Sequence, residues 1–225
     1  MARRIEEGRI VLDNYNELSP FIKFTDPDIF YFLQVLKRKK DNPEMKRSTI
    51  KVYSKFITRQ ETFDRAYKDV KLICNTDNAR AYLSIVPRSL EKFTKECCLE
   101  YTRRVCSGIF DATYKIPDEI ALISKVVKKD QNIWLLDVDS GVDEVLEYLK
   151  TKKELIFLGQ VETFSGAHVF CKPFNYVDVF GNLEKLGDDN FSLGNGTSFG
   201  IKKTALSILY ASKEVEEFLP FIFNP

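Results

Sequence analysis

The pattern of apolar and polar positions divides the 225-residue chain into a polar first third and a remainder of strand-like and helix-like segments. Apolar residues at helical spacing follow Asp26-Pro27-Asp28 and predict a helix over residues 29–36. A basic run at residues 37–40 comes next. We therefore expect residues 1–74 to form a helical N-terminal segment.

Residues 75–225 predict an α+β core. Apolar runs at 81–86 and 132–139 have the length of strands, and a helix follows the first, with Ser89 as its cap and apolar residues 90–105 on one face. Further strands are predicted over 154–158 and 205–210, a hairpin around Ser165-Gly166, and helices after Gly141 and over 213–221. Strands joined through helices favour a sheet with helices on one face, which leaves the other face for a site.

Composition is that of an ordinary globular protein, with 44% hydrophobic residues, 30% charged residues and a net charge of +1. No apolar stretch approaches the roughly 18 residues of a membrane span, and the polar start does not resemble a signal peptide. The five cysteines lack metal-binding spacing and are expected to be reduced. These features predict a cytoplasmic protein that has no membrane partner.

The most informative pair of residues is Asp137 and Asp139, at the end of the clearest predicted strand. Alternate residues of a strand point to the same face, so the two carboxylates are expected to lie close together. Such a pair is tolerated where a divalent cation or a cationic substrate compensates the repulsion, as in phosphoryl transfer with Mg²⁺ or Mn²⁺. The alternative is that Asp139 caps the helix after Gly141.

The only histidine, His168, follows the small Ser165-Gly166 turn. Such a turn allows the backbone to approach a ligand closely, and the imidazole can then donate to a phosphate. The alternative is a structural histidine whose hydrogen bonds are satisfied within the protein. Lys172 lies four residues further on and is expected on the same face.

Positive charge is also available elsewhere. Arg80 and Arg88 flank the first predicted strand, and Arg88 opens a helix whose N-terminus favours a phosphate. Residues 37–59 are strongly basic and can follow a nucleic-acid backbone, with Tyr53 or Phe56 stacking on bases. The alternative for each of these charges is a solvated surface.

Taken in order along the chain, these motifs resemble the archaeo-eukaryotic primase (primase-polymerase) superfamily, in particular its small phage-type members. The resemblance covers residues 75–212. It is carried by Asn78-Ala79-Arg80-Ala81-Tyr82, Arg88-Ser89, Asp137-Val138-Asp139, Ser165-Gly166-Ala167-His168 and Lys172-Pro173-Phe174-Asn175.

The resemblance implies an RRM-like, primase palm-type sheet in which Asp137 and Asp139 bind the divalent metal and His168 contacts a nucleotide phosphate. A third acidic ligand completes the metal set in that family, and Asp188 or Asp189 is the expected counterpart, with Asp178 in a segment of helical pattern. Further substrate and phosphate contacts are expected from Arg80, Arg88, Ser165, Lys172 and Asn175. The last predicted strand carries no acidic residue.

The resemblance also implies partners: nucleoside triphosphates, a single-stranded nucleic acid template and a separate helicase or replication protein, in the cytoplasm of a bacterial host of a phage. A metal-dependent nucleotidyltransferase is thus the leading interpretation. A non-catalytic nucleotide- or nucleic-acid-binding accessory protein, a metal-dependent nuclease, and an interaction protein in which Asp139 is only a helix cap are the alternatives.

Overall fold

The structure is a computed structural model that describes residues 3–6, 8–187, 190–194, 197–202 and 206–214. The strands in these residues are β1 (Arg3–Glu6), β2 (Arg9–Asp13), β3 (Ile29–Arg38), β4 (Thr49–Ile57), β5 (Ala79–Ser84), β6 (Arg88–Ser89), β7 (Trp134–Val138), β8 (Phe157–Glu162), β9 (Ala167–Cys171), β10 (Glu184–Gly187), β11 (Asn190–Gly194), β12 (Thr197–Lys202) and β13 (Leu206–Glu214). The α-helices are α1 (Tyr15–Leu18), α2 (Gln60–Asp77), α3 (Leu90–Cys106), α4 (Ile116–Leu122), α5 (Val142–Lys150) and α6 (Tyr176–Phe180).

The first sheet has the strand order β1-β2-β13-β5-β3-β4, with β6 paired to β3, and all its pairs are antiparallel. Helix α2 packs on it through the buried residues Phe63, Ala66, Val70 and Cys74. Helices α3 and α4 cover Phe30 and Phe32, which alternate along β3 with residues of the α2-covered core. The first sheet therefore has helices on both of its faces.

The prediction of a helical N-terminal segment is wrong. Residues 29–38 form β3, which lies between β4 and β5, and residues 29–35 are all buried. A run that is buried on both faces is apolar at almost every position, so its periodicity does not distinguish a strand from a buried helix. Strands from the first 57 residues also pair with β5 and β13, so both ends of the chain contribute to one sheet.

The second sheet has the strand order β10-β11-β12-β7-β9-β8, again with antiparallel pairs. Helices α5 and α6 pack on one face of it, against Leu136, Val138 and Val169. Residues 134–202 thus follow a β-α-β-β-α-β course, extended by the β10–β11 hairpin. The predicted α+β class is confirmed. The predicted arrangement, with helices on only one face of a sheet, is found in the second sheet and not in the first.

Other element boundaries differ from prediction. The strand expected at 154–158 begins at Phe157 and continues to Glu162, and α4 lies between α3 and β7, where no helix is predicted. The last strand continues to Glu214, so residues 213 and 214 belong to β13 instead of a closing helix. The rest of that predicted helix lies outside the described residues.

The two sheets share one core. Leu135, Val161 and Phe170 from the second sheet belong to the same buried cluster as residues of β3 and α2. The side-chain amide of the buried Asn14 donates to the carbonyl of Glu162 in β8 at 2.9 Å and to that of Ile208 in β13 at 3.0 Å. These contacts hold the two sheets against each other, beside the face of β7 and β9 that α5 and α6 do not cover.

Candidate active site

Asp137 and His168 lie directly opposite each other on neighbouring strands β7 and β9. The His168 Nε2 atom is 3.4 Å from Asp137 Oδ1. This hydrogen bond lowers the pKa of Asp137 below its ordinary value, and the positive charges of Lys202 and Arg38 lower it further, against the opposing effect of partial burial. The Asp137 side chain stays 34% exposed, so an ionised carboxylate is open to a ligand.

The other imidazole nitrogen of His168 contacts a residue that the motifs did not indicate. Ser207 Oγ in β13 lies 3.0 Å from His168 Nδ1, and the serine is fully buried. A hydroxyl can donate or accept, so it satisfies this nitrogen in either protonation state of the ring. Ser207 therefore fixes the ring orientation that points Nε2 at Asp137.

The Ser165-Gly166 turn packs directly on the end of β7. A side chain at Gly166 would overlap the carbonyl oxygen of Val138, so only glycine allows this approach. The turn is closed by Thr163, whose Oγ1 accepts from the Gly166 amide at 3.0 Å. The predicted hairpin is confirmed, and its glycine explains how His168 is brought alongside Asp137.

Asp139 follows β7 and is exposed. Helix α5 begins after Gly141, which has a positive φ of 62°, and the helix has no side-chain hydrogen bond at its N-cap. The interpretation of Asp139 as the cap of this helix is therefore wrong. Its carboxylate is one of the groups that act on the pKa of Lys40, a residue of the first sheet's β3–β4 connection.

A cleft of about 570 Å³ separates this acidic strand end from the first sheet. Its polar lining consists of Arg38, Lys40, Thr49, Arg80 and Tyr82 from the first sheet and Asp137, Asp139, Thr163, Ser165, His168 and Lys202 from the second. Cations and carboxylates thus face each other across one opening. Lys40 sits close enough to Arg80 and Arg38 that, together with partial burial as the larger cause, they lower the pKa of its amine.

Arg80 occupies this cleft as part of a buried ion pair. Its guanidinium donates to both carboxylate oxygens of Asp41, at 2.6 and 2.7 Å, and both side chains are more than 90% buried. The same guanidinium lies 4.6 Å from the ring centroid of Phe164, in the turn before His168. Arg80 therefore connects the β3–β4 hairpin, β5 and the second sheet, and this clamp fixes the cleft wall.

Three predicted phosphate contacts lie elsewhere. Arg88 is fully buried, donates to Ser84 Oγ at 3.1 Å and to the Ile123 carbonyl at 3.2 Å, and does not line the cleft. Lys172 lines a separate depression, because the backbone leaves β9 before it. Asn175 caps α6 by accepting from the Val177 amide at 3.1 Å. These three residues therefore lie away from the cleft and are not part of the candidate site.

The proposed base-stacking residues of the basic segment are also engaged. Phe56 packs in an aromatic cluster with Phe30, Phe32 and Phe93, and the Tyr53 hydroxyl bonds to Asp69 at 3.3 Å. The segment is a strand hairpin and not a helix. Its contribution to the cleft is Arg38, Lys40 and Thr49.

No group of three or more metal-ligating side chains occurs within the part of the chain that the structure describes. The expected third ligands, Asp188 and Asp189, lie outside the described residues. Asp178 is in α6, on the face of the second sheet opposite the cleft. The donor set described is thus the pair Asp137 and Asp139, with His168 bound to the first.

Sequence reasoning missed Arg38, Lys40, Lys202 and Ser207 as site residues. The first two belong to the basic segment 37–59, which the sequence indicates only as a whole as a nucleic-acid contact, and Lys202 belongs to none of the motifs. Only the strand order reveals that β12 is the neighbour of β7 and that Gly200, two residues before Lys202, lies opposite Asp137. Ser207 carries no local signal.

Comparison of the chain with protein-family models, curated proteins and solved structures finds no match in any of the three. The resemblance to primase-polymerases therefore rests on the motifs alone. Across the described helices, none combines the length and the apolar character needed to cross a membrane.

Proposed function

We propose that this protein is a metal-dependent nucleotidyltransferase of primase-polymerase type, which uses nucleoside triphosphates to synthesise or extend nucleic acid. The observation that carries the proposal is the cleft in which ionised Asp137 and exposed Asp139 face Arg38 and Lys40, with Lys202 on the strand next to Asp137. A triphosphate bound with a divalent cation needs both kinds of group at once.

The topology of the second sheet supports this reading. The course β7-α5-β8-β9-α6-β12 with the spatial order β12-β7-β9-β8 is the 4-1-3-2 arrangement of ferredoxin-like and RRM-type sheets. Asp137 and His168 lie on its two central strands, on the face that α5 and α6 leave free. The resemblance implies a primase palm-type sheet, and this strand order is a second observation in support of the proposal.

The chemistry of the donor set fits Mg²⁺ or Mn²⁺. Mg²⁺ is commonly held by one or two carboxylates together with substrate phosphates, so Asp137 and Asp139 suffice for a cation that enters with the nucleotide. When bound there, the cation supplies charge neutralisation of the triphosphate and activation of the attacking hydroxyl.

The protein's own groups then have separate roles. Arg38, Lys40 and Lys202 attract and orient the phosphates electrostatically. The hydrogen bond from His168 lowers the pKa of Asp137, and the Nε2 hydrogen can turn from Asp137 to a phosphate oxygen when a nucleotide binds. Arg80 is committed to Asp41 and holds the wall in place.

Incorporation of labelled nucleotides on a primed single-stranded template tests the proposal. We expect Asp137→Asn to reduce the rate at least about 100-fold, because the variant loses transition-state charge stabilisation. Asp178→Asn is the matched control, since this exposed carboxylate lies in α6, away from the cleft. Equal activity of the two variants would show that Asp137 takes no part in the reaction.

Metal binding is tested without activity. A tenfold to hundredfold excess of Mn²⁺ over its Kd stabilises the folded state by about 1.4 to 2.7 kcal/mol through mass action. We expect a rise in melting temperature for the intact protein with Mn²⁺ and a nucleoside triphosphate, and none for the Asp137→Asn/Asp139→Asn variant. The absence of any shift in the intact protein contradicts the proposed metal site.

A non-catalytic nucleotide-binding protein is the second candidate. The observation in its favour is that the described residues contain only two carboxylates at the site and no three-residue metal group. In that case the thermal shift with nucleotide persists while incorporation and hydrolysis are both absent. Hydrolysis of the nucleic acid without incorporation of nucleotides would instead favour a metal-dependent nuclease.

A further inference from the structure

The connection between β3 and β4, here called the β3–β4 loop (residues 39–48), concentrates positive charge. Lys37 and Lys51 on the flanking strands form ion pairs with Asp77 and Asp118. The loop has four further cations, which are all exposed and form no ion pair within the part of the chain that the structure describes: Lys39, Lys40, Lys46 and Arg47.

The carboxylates of the loop do not balance these cations. Asp41 is engaged by Arg80 in the buried ion pair, which leaves Glu44 as the one exposed carboxylate of the loop. The whole chain has a net charge of only +1, so the excess of positive charge is a local feature. A multivalent anion would relieve the repulsion between cations that are gathered in this way.

The backbone of the loop is held in place. The side-chain amide of Asn42 donates to the carbonyls of Arg38 at 3.2 Å and Asn78 at 3.1 Å. The amide of Lys39 donates to the carbonyl of Ser48 at 2.9 Å. The four cations therefore project from a defined platform.

This platform lies at the mouth of the cleft. Arg38 and Thr49 are opposite each other in the β3–β4 register, and both line the cleft. The loop continues from this pair, and Lys40 within it also lines the cleft. The other three cations lie outside the cleft, where a chain of phosphates that leaves the cleft would meet them.

The composition of the loop favours a nucleic acid over an acidic protein. Protein interfaces have an apolar core, and Met45, the one large apolar residue of the loop, is only 8% exposed. A phosphate backbone is bound through positive charge alone and needs no apolar contact.

We propose that the β3–β4 loop binds the phosphate backbone of the nucleic-acid strand that the nucleotidyltransferase copies or extends, through Lys39, Lys46 and Arg47. The identity of the strand rests on the proposed function. The loop itself belongs to residues 1–74, outside the motifs that carry the resemblance. Lys40, at the boundary, is left to the nucleotide.

The salt dependence of binding tests the proposal. Fluorescence anisotropy measures the Kd of a labelled oligothymidylate of about 20 nucleotides in EDTA, without nucleotide, between about 50 and 200 mM salt. Each phosphate contact on a single strand contributes about 0.7 to the slope of log Kd against log salt. Lys46→Met/Arg47→Met should therefore lower the slope by about 1.4 and raise the Kd about tenfold or more at 50 mM salt.

Arg65→Met/Lys68→Met is the matched control, because it also removes one arginine and one lysine. Both residues are exposed on α2, which packs on the face of β5 opposite Arg80 and Tyr82. This variant should keep the slope and the Kd of the intact protein. Equal losses in the two double variants, or no binding by the intact protein, overturn the proposal.

Polyglutamate distinguishes the class of partner. Weaker binding of polyglutamate than of the oligonucleotide supports the proposal, whereas tighter binding would make an acidic protein the partner and overturn it. The titration needs neither metal nor nucleotide, so it does not depend on the catalytic site. If labelled nucleotides are not incorporated but the titration gives the expected slopes, the loop binds nucleic acid and only the catalytic proposal fails.

Discussion

The two walls of the cleft are built in different ways. On the second sheet, Asp137 and His168 are neighbours on adjoining strands, and a tight turn brings them together. On the first sheet, Arg38, Lys40 and Arg80 come from a hairpin and a strand that are distant in sequence. The acidic wall therefore depends on the turn that aligns β9 with β7, whereas the basic wall depends on the pairing of β3 with β5.

Two buried arginines show a second contrast, between a paired and an unpaired charge. Arg80 and Arg88 both belong to the motifs of the resemblance, and both are buried. Arg80 has a carboxylate partner in Asp41, and Arg88 has hydrogen bonds to neutral groups and one nitrogen, Nη2, without a partner. Arg80 thus joins separate elements through an ion pair, whereas Arg88 is a buried charge without a compensating carboxylate.

The largest effect on the free energy of unfolding is expected from removing the Arg80–Asp41 ion pair. Arg80→Met leaves Asp41 buried without its cation, which costs about 3 kcal/mol of unfolding free energy. Urea denaturation measures it. Arg103→Met, on the exposed face of α3, removes an ion pair of equally good geometry and should change stability little. If the two variants lose the same amount, the first sheet does not depend on the Arg80 clamp.

The sequence predicts the second sheet better than the first for a physical reason. The strand at 134–138, the helix after Gly141 and the 163–166 hairpin each follow from signals within a few residues. In the first sheet, β3 is covered on both faces, so it lacks the alternation of a half-buried strand. Pairing between β2 and β13, nearly the full chain apart, has no local signal.

The same limit applies to the site. Asp137, Asp139 and His168 were predicted from spacing and lie together. Arg88 and Asn175 were predicted from motifs but serve packing and capping. Ser207 and Lys202 reach the site through the order of strands, and that order is not encoded in any short stretch of residues.

The basic wall is tested next by its effect on the nucleotide. Lys40→Met removes a cation that faces the carboxylate pair, and the Kd for a nucleoside triphosphate with Mn²⁺ should rise about tenfold. Lys39→Met is the control, because Lys39 is the neighbouring exposed lysine and does not line the cleft. An equal rise in both would mean that the hairpin acts through general charge and not through a defined phosphate contact.

A smaller effect, on the pH dependence of stability in metal-free buffer, is expected from a change in the acidic wall. The pKa of Asp137 is lowered in the folded protein chiefly by its hydrogen bond to His168. A lowered carboxyl pKa stabilises the fold above the unfolded value of about 3.9, and this stabilisation is lost as the pH falls through the folded value. His168→Leu removes this donor and should therefore flatten the decline in stability below about pH 5.

Thermal unfolding from pH 6 down to pH 2 measures this decline. Asp178→Asn is again the control and should follow the intact protein, because its carboxylate is remote from His168. An unchanged acid limb in His168→Leu would show that the low pKa of Asp137 is due to Lys202 and Arg38 instead.

The smallest effect is expected at Arg88. Burial lowers the pKa of its guanidinium to about 10, so it is still charged at neutral pH, and no carboxylate pairs with it among the described residues. Replacing such a charge by an apolar chain of similar length removes the desolvation cost along with two hydrogen bonds. Ser84 Oγ keeps its bond to the Val86 carbonyl at 2.9 Å. Arg88→Met should therefore stay within about 1 kcal/mol of the intact protein in urea denaturation. A loss as large as that of Arg80→Met would mean that the two buried arginines stabilise the fold in the same way.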